Sequence, residues 1–257
     1  MICFDHVTRN YGPKVAVDDL CLTVPPGELF AFLGPNGAGK TTSIKMLVGL
    51  LRPGMGTVSV CGHDLVDETR QATRYIGYVP DQTFLYDKLS GREFLEFVAE
   101  MRGMDRDATH AAVARESEQF GLSAFIDELA ETYSHGMRQR LVFASALLHD
   151  PAVLVVDEPM VGLDPRSVRL VKDLLRAKAS AGTIVFMSTH TLAVAEEIAD
   201  RIGVIDHGRI RFLGTQDCLQ QELAVADSTL EQLFLRLTSD DNGRSAESPQ
   251  QQAEPAE

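Results

Sequence analysis

A chain of 257 residues, 44% of them hydrophobic, can bury a large core as one compact domain or one domain with an inserted subdomain. Its 24 basic and 37 acidic residues leave a formal charge of −13, which argues against nucleic acid or an anionic membrane surface as a partner. Cys3, Cys21, Cys61 and Cys218 are far apart and form no C-x-x-C pair, so their spacing indicates neither a zinc site nor a disulfide framework, and a reducing cytosol fits. No N-terminal stretch reads as a signal peptide and the apolar runs are too short to cross a bilayer, so any span is expected from another chain.

Residues 2–4 and 20–24 read as strands, and residues 29–33 form an apolar run. That run leads into Gly34, Pro35, Asn36, Gly37, Ala38, Gly39, Lys40, Thr41 and Thr42, a complete G-x-x-x-x-G-K-[ST] loop. Ile44, Leu47, Val48 and Leu51 follow at i, i+3, i+4 and i+7, so the loop opens a helix with one buried face. The pattern points to a nucleoside triphosphate site. Glycines let backbone N–H groups turn around phosphate oxygens, Lys40 adds a cation near the outer phosphates, and the Thr41 hydroxyl suits Mg²⁺.

Residues 57–61 and 75–79 read as short strands that join the N-terminal ones in a β-rich lobe. From about residue 89 to 148 the period becomes helical, with Phe94, Leu95, Phe97 and Val98 on one stretch and Leu141, Ala144, Ser145 and Leu148 on another. This is read as a helical insertion. Residues 153–156 and 183–187 are nearly uninterrupted apolar runs, the pattern of parallel strands covered on both faces, whose C-terminal ends are where open α/β sheets bind ligands.

The first of these strands ends in Asp157 and Glu158, 117 residues beyond Lys40 (157 − 40). Asp157 is suited to holding Mg²⁺ through a coordinated water, and Glu158 to orienting or deprotonating the water that attacks the γ-phosphate. The second strand ends in Ser188, Thr189 and His190, which places an imidazole at the same sheet edge, in position to donate to that phosphate.

Taken in order, these residues resemble the ATP-binding cassette (ABC) ATPases from Met1 to about Thr238. Tyr11 resembles the aromatic that stacks on adenine, residues 34–42 the Walker A loop, and residues 153–158 Walker B. Gly162-Leu163-Asp164 resembles the D-loop and His190 the switch histidine. Tyr133-Ser134-His135-Gly136-Met137 resembles the signature usually written Leu-Ser-Gly-Gly-Gln. Ser134 and Gly136 are the positions that, in the family, address the γ-phosphate bound by the opposite subunit. His135 and Met137 depart from the pattern, as in cassettes of bacterial export systems with ABC-2 type membrane subunits.

The resemblance implies an α/β fold: a P-loop NTPase core with a parallel sheet, an N-terminal antiparallel β lobe and a helical subdomain inserted at about 89–148, together spanning 1–238. It implies an Mg²⁺-dependent ATPase that pairs head to tail with a second copy at the cytoplasmic face of the inner membrane and energises export through ABC-2 type permease subunits. The alternative is a soluble cassette regulating translation or DNA transactions, which the single cassette and the −13 charge disfavour. After Pro80 the family often has Gln where this chain has Asp81, beside Gln82; a carboxylate can accept from metal-bound water but cannot donate as an amide does. Phe84-Leu85-Tyr86 is either a surface suited to a helix of a membrane partner or local core packing. Residues 239–257 are rich in Ser, Gln, Pro and Ala and carry −4 (one Arg, two Asp, three Glu), the composition of a disordered tail.

Overall fold

The protein is described by a computed structural model covering residues 1–222 together with Gln232 and Phe234; the tail expected at 239–257 lies outside the described residues. In chain order the elements are β1 (Ile2–Tyr11), β2 (Lys14–Val24), β3 (Leu29–Leu33), α1 (Lys40–Leu47), β4 (Met55–Val60), β5 (His63–Asp64), α2 (Thr69–Arg74), β6 (Ile76–Val79), α3 (Gly91–Met101) and α4 (Arg106–Gln119). They continue as α5 (His135–Leu147), β7 (Val153–Asp157), α6 (Pro165–Ser180), β8 (Ile184–Thr189), α7 (Leu192–Ile198), β9 (Arg201–Asp206), β10 (Arg209–Gly214) and α8 (Gln216–Glu222).

Period-two alternation separates the two sheets. In β2 the buried Leu20, Leu22 and Val24 alternate with exposed Asp19, Cys21 and Thr23, so one face is packed and the other wet. This strand belongs to an antiparallel sheet in the order β2-β1-β4-β5. By contrast, β3, β7 and β8 are buried at every residue, as strands covered on both faces must be. They sit in the middle of a six-stranded sheet, β10-β9-β3-β8-β7-β6, parallel except for the β10 edge.

The same alternation divides the core. Leu29, Ala31 and Leu33 of β3, Leu154 and Val156 of β7, and Val185 and Met187 of β8 face the helices α5, α6 and α7. Phe30 and Phe32 of β3 and Phe186 of β8 face the antiparallel sheet, where their ring centroids lie 5.4 to 6.3 Å apart and Phe4 of β1 joins them. Each such ring removed from water contributes up to about 3 kcal/mol, so this interface fixes the antiparallel lobe on the parallel sheet.

One strand falls elsewhere than expected. Residues 76–79 do not join the β lobe: β6 pairs parallel with β7, Ile76 opposite Val153 through Val79 opposite Val156. The reason is packing, because an ideal Cβ on Gly77 would stand 2.3 Å from the Ala146 carbonyl oxygen of α5, and only a glycine lets helix and strand approach so closely. The helical insertion is as expected, with α3 opened by a reciprocal Ser90–Glu93 capping box. Phe84-Leu85-Tyr86 divides between its two readings: Leu85 is buried, while Phe84 and Tyr86 are exposed and meet edge to face, as Tyr86 does with Phe97. Among the described residues no helix is long and apolar enough to cross a membrane.

His149, just after α5, supplies a pH dependence. Its Nε2 lies 3.2 Å from the Ile76 carbonyl oxygen, and burial, then the nearby Arg102 charge, pulls its pKa from 6.5 to about 4. The unfolded chain therefore binds a proton that the folded chain refuses, so this contribution to stability is complete above pH 6.5 and lost as pH falls toward 4. His149→Gln retains a donor for Ile76 but removes the titration. Urea midpoints at pH 7 and pH 5 should fall less in the variant than in the wild type; equal falls would assign the acid sensitivity to other groups.

Candidate active site

Strand order brings the expected residues to one edge. Because β3, β8 and β7 are neighbours and parallel, the loop after β3, His190 after β8, and Asp157-Glu158 at the end of β7 all emerge at the C-terminal side of the sheet. Next to β7, β6 delivers Asp81 to the same edge. Tyr11, Asn36, Gly37, Gly39, Lys40, Thr41, Thr42, Asp81, Asp157 and Glu158 line one open cavity of about 290 Å³. Gln82 is not among its walls.

The loop's backbone conformation depends on its glycines. Gly39 has φ 116° and caps α1, and a Cβ there would stand 2.5 Å from the Ala16 carbonyl oxygen. A Cβ on Gly34 would meet the Ile205 carbonyl at 2.3 Å. The loop is thus pressed against β2 and β9, and Gly208 N donates to Ala38 O at 2.8 Å. The first N–H groups of α1, left without helical partners, open onto the cavity with Thr41 and Thr42. Gly34, Pro35 and Ala38 do not line the cavity. Lys40 is buried, and its ammonium donates to the Gly34 and Pro35 carbonyls at 2.7 and 3.2 Å. Burial lowers its pKa, while Glu158 and Asp157 act in the opposite direction.

The two carboxylates are held differently. Asp157 is buried, and its pKa is raised chiefly by that burial although the Ser188 hydroxyl donates to Oδ1 at 2.5 Å. Glu158 adopts φ 50°, a left-handed conformation rare outside glycine. Its N–H donates to the Ser188 hydroxyl and carbonyl oxygens at 3.1 and 3.2 Å, and its Oε2 lies 2.9 Å from His190 Nδ1 and accepts from His190 N at 3.3 Å. Several hydrogen bonds therefore impose the unusual backbone, the situation in which strain persists at functional sites. His190 reaches the site through Glu158.

Ser188 is a positioning residue that motif reading passed over as part of a strand end. Only the register, with Asp157 opposite Ser188, identifies it. Ser188→Ala leaves the buried Asp157 carboxylate without its donor and should destabilise the fold by about 1–3 kcal/mol, read as a lower denaturant midpoint. An unchanged midpoint would show that water replaces the hydroxyl. Lys14 was also passed over; it lies opposite Tyr11 across the Gly12-Pro13 turn and lines the cavity. That aromatic-Gly-Pro-Lys hairpin was its available signal. The Arg9 guanidinium lies over the Tyr11 ring, 5.4 Å from its centroid.

Besides Gly34, Pro35, Ala38 and His190, three further expected site residues do not border the cavity. Ser134 caps α5, accepting from Met137 N at 3.3 Å, and is exposed. Gly136 has nothing within 4 Å of an ideal Cβ. Asp164 caps α6, its carboxylate accepting from Arg166 N, Ser167 N and the Ser167 hydroxyl, the last of which does most to lower its pKa. The departures from the signature pattern have local roles: Met137 packs on the core, and His135 Nε2 lies 3.1 Å from where a Cβ on Gly162 would stand.

Residues 17–161, more than half the chain, match the family described as ABC transporter. The daunorubicin/doxorubicin resistance ATP-binding protein DrrA of Streptomyces peucetius is 42% identical over 217 residues, 84% of this chain and 66% of the relative. The Nod factor export ATP-binding protein I of Burkholderia lata is 40% identical over 208 residues, 81% of this chain and 68% of the relative. The chain thus spans about two thirds of the length of these relatives. A solved ATP-binding subunit of an ABC transporter has the same fold, with a TM-score of 0.87 at 28% identity over 92% of this chain and 99% of that one. With a phosphate loop, a strand-end Asp-Glu pair and a histidine converging on one sheet edge of that fold, the chain belongs to the ABC transporter family as an ATP-binding protein.

Proposed function

We propose that the chain hydrolyses ATP to energise export through separate membrane subunits, working as a head-to-tail pair. The observation that carries the reading is a site in two halves. The residues fit to hold and cleave the triphosphate face one cavity, while Ser134 and Gly136 look elsewhere and are free to serve a second copy. With one loop and one signature, two such copies build two complete sites.

In this reading the loop amides and Lys40 bind the β- and γ-phosphates, Tyr11 stacks on the adenine, and Ser134 and Gly136 of a second copy approach the γ-phosphate. Thr41, Asp157 and Asp81 form an all-oxygen donor set that suits Mg²⁺, which when bound would neutralise phosphate charge. Glu158 orients a water and takes its proton as the oxygen attacks phosphorus and the bond to the bridging oxygen of ADP breaks. His190 donates from Nδ1 to Glu158, and in its imidazolium form its Nε2 also donates to the γ-phosphate. Asp164 acts by setting the start of α6 beside the signature. ATP favours closure because its contacts with the opposite subunit exist only in the closed pair, and hydrolysis removes them.

The exposed edge-to-face group of Phe84, Tyr86 and Phe97, on the chain segment that follows Asp81, supports docking of a membrane subunit of the ABC-2 type at the cytoplasmic face. The relative named for Nod factor export supports the outward direction. The ATPase domain is taken as 1–238, with 239–257 as an appended tail. Purification from detergent-solubilised membranes tests the reading: a partner with about six spans should accompany the chain. Recovery with ribosomes or DNA instead would favour the soluble alternative.

A further inference from the structure

A group of metal-ligating side chains lies on the β lobe, and none of its members lines the nucleotide cavity. In β2, Asp19 and Cys21 share the solvent face because they are two residues apart, with Leu20 and Leu22 buried beneath. Facing them, β1 breaks register between Phe4 and Val7, and this irregularity turns His6 toward Asp19. His6 Nδ1 lies 2.7 Å from Asp19 Oδ1, and one ligand atom from each of His6, Asp19 and Cys21 lies within 4.8 Å of the others. Cysteine spacing alone does not reveal this, since the nitrogen and oxygen donors arrive only through strand pairing.

Two features distinguish this group from a chance surface cluster. His6 and Asp19 both have left-handed backbones, φ 50° and 53°, on facing strands, and Asp19 N is tied to the Thr8 hydroxyl at 3.0 Å. Non-glycine residues adopt this conformation rarely, and two of them here aim their side chains at one point. The donors are also chemically mixed: imidazole nitrogen, carboxylate oxygen and thiol sulfur. The carboxylates of Asp19 and Asp5 beside the His6 ring add negative charge where a cation would sit.

We infer that His6, Asp19 and Cys21 form a zinc-binding site on the outer face of the β lobe, with water as the fourth ligand. Mixed nitrogen, oxygen and sulfur ligation in a tetrahedron is the preference of Zn²⁺, and ligand distances of roughly 2.0–2.3 Å put neighbouring donor atoms roughly 3.3–3.7 Å apart. The His6–Asp19 pair must open by less than about an ångström, and Cys21 must close by at most roughly 1.5 Å. Exposed side chains make such adjustments by rotation. The ion takes the Nδ1 lone pair, leaving the ring proton on Nε2, and the Cys21 thiol gives its proton to solvent. A bound ion would tie β1 to β2 in the hairpin that ends at Tyr11.

The test is a cobalt(II) titration of the untagged full chain without nucleotide, followed by competition with zinc. The wild type should bind one equivalent with a thiolate-to-cobalt charge-transfer absorption and a tetrahedral d–d band, both removed by zinc. Cys21→Ser should abolish the charge-transfer band, and Cys218→Ser should retain it. His6→Asn, chosen because Asn tolerates a left-handed backbone, should weaken binding at least tenfold, a ligand mattering no less than an outer-shell partner. Zinc should also raise the melting temperature of the wild type but not of Cys21→Ser. Absence of the band in the wild type, or its persistence unchanged in Cys21→Ser, overturns the site.

Discussion

Glu158→Gln should lower ATP turnover roughly 10²- to 10⁴-fold, the range for loss of a positioned general base, while leaving ATP affinity within about threefold of wild type. The separation follows from the construction of the site. Glu158 stands at the end of β7 and is held by Ser188 and His190, whereas the phosphate cradle is built from the loop after β3 and pressed on Ala16 and Ile205. The amide preserves size and can still accept from His190, so the backbone at φ 50° should survive and only proton removal is lost. Phosphate release and equilibrium ATP binding, measured on the same preparation, check both halves. Turnover near wild type would mean that Glu158 is not the base and that the water is activated elsewhere.

Lys40→Ala should do the reverse and weaken ATP binding by roughly 10- to 100-fold, the worth of a charge-assisted hydrogen bond to a phosphate oxygen. Its effect on the unliganded fold should be small, since two contributions oppose each other. The ammonium is held against its burial cost, which lowers its pKa, and its partners are the Gly34 and Pro35 carbonyls. Removing it leaves Asp157 and Glu158 without a nearby cation but ends the desolvation of a charge. A nucleotide titration and an unliganded melt on one sample separate the two effects. Unchanged affinity would remove the loop from the phosphate site.

What could be read in the residues alone was chemistry carried by short, local patterns. The loop at 34–42, the Asp-Glu pair after an apolar strand and the histidine after another are each contiguous, and the fold brings them to one edge because their strands are neighbours. Pairing across the chain was less legible. The strand at 76–79 looks as well suited to a β lobe as to a core sheet, and what decides is Gly77 against the backbone of α5, some 70 residues later. Ser188 is invisible for the same reason, its role arising from register with Asp157. Asp164 and Ser134 were recognised by motif, yet within one chain each caps a helix, because a motif records a role in an assembly as readily as one in a single chain. Strands β9 and β10 passed unread: the apolar run of β9 is short and bounded by Arg201 and Asp206, while Arg211 interrupts β10, an edge strand paired only with β9.

The central claim is that a complete site needs two chains, and it is tested most directly by the mass of Glu158→Gln in solution. Light scattering with and without saturating Mg²⁺ and ATP reads it. The account predicts a monomer without nucleotide and a particle of twice that mass with it, holding one ATP per chain. A monomer that persists when every chain carries ATP would contradict the account, because Ser134 and Gly136 would then have no second nucleotide to address.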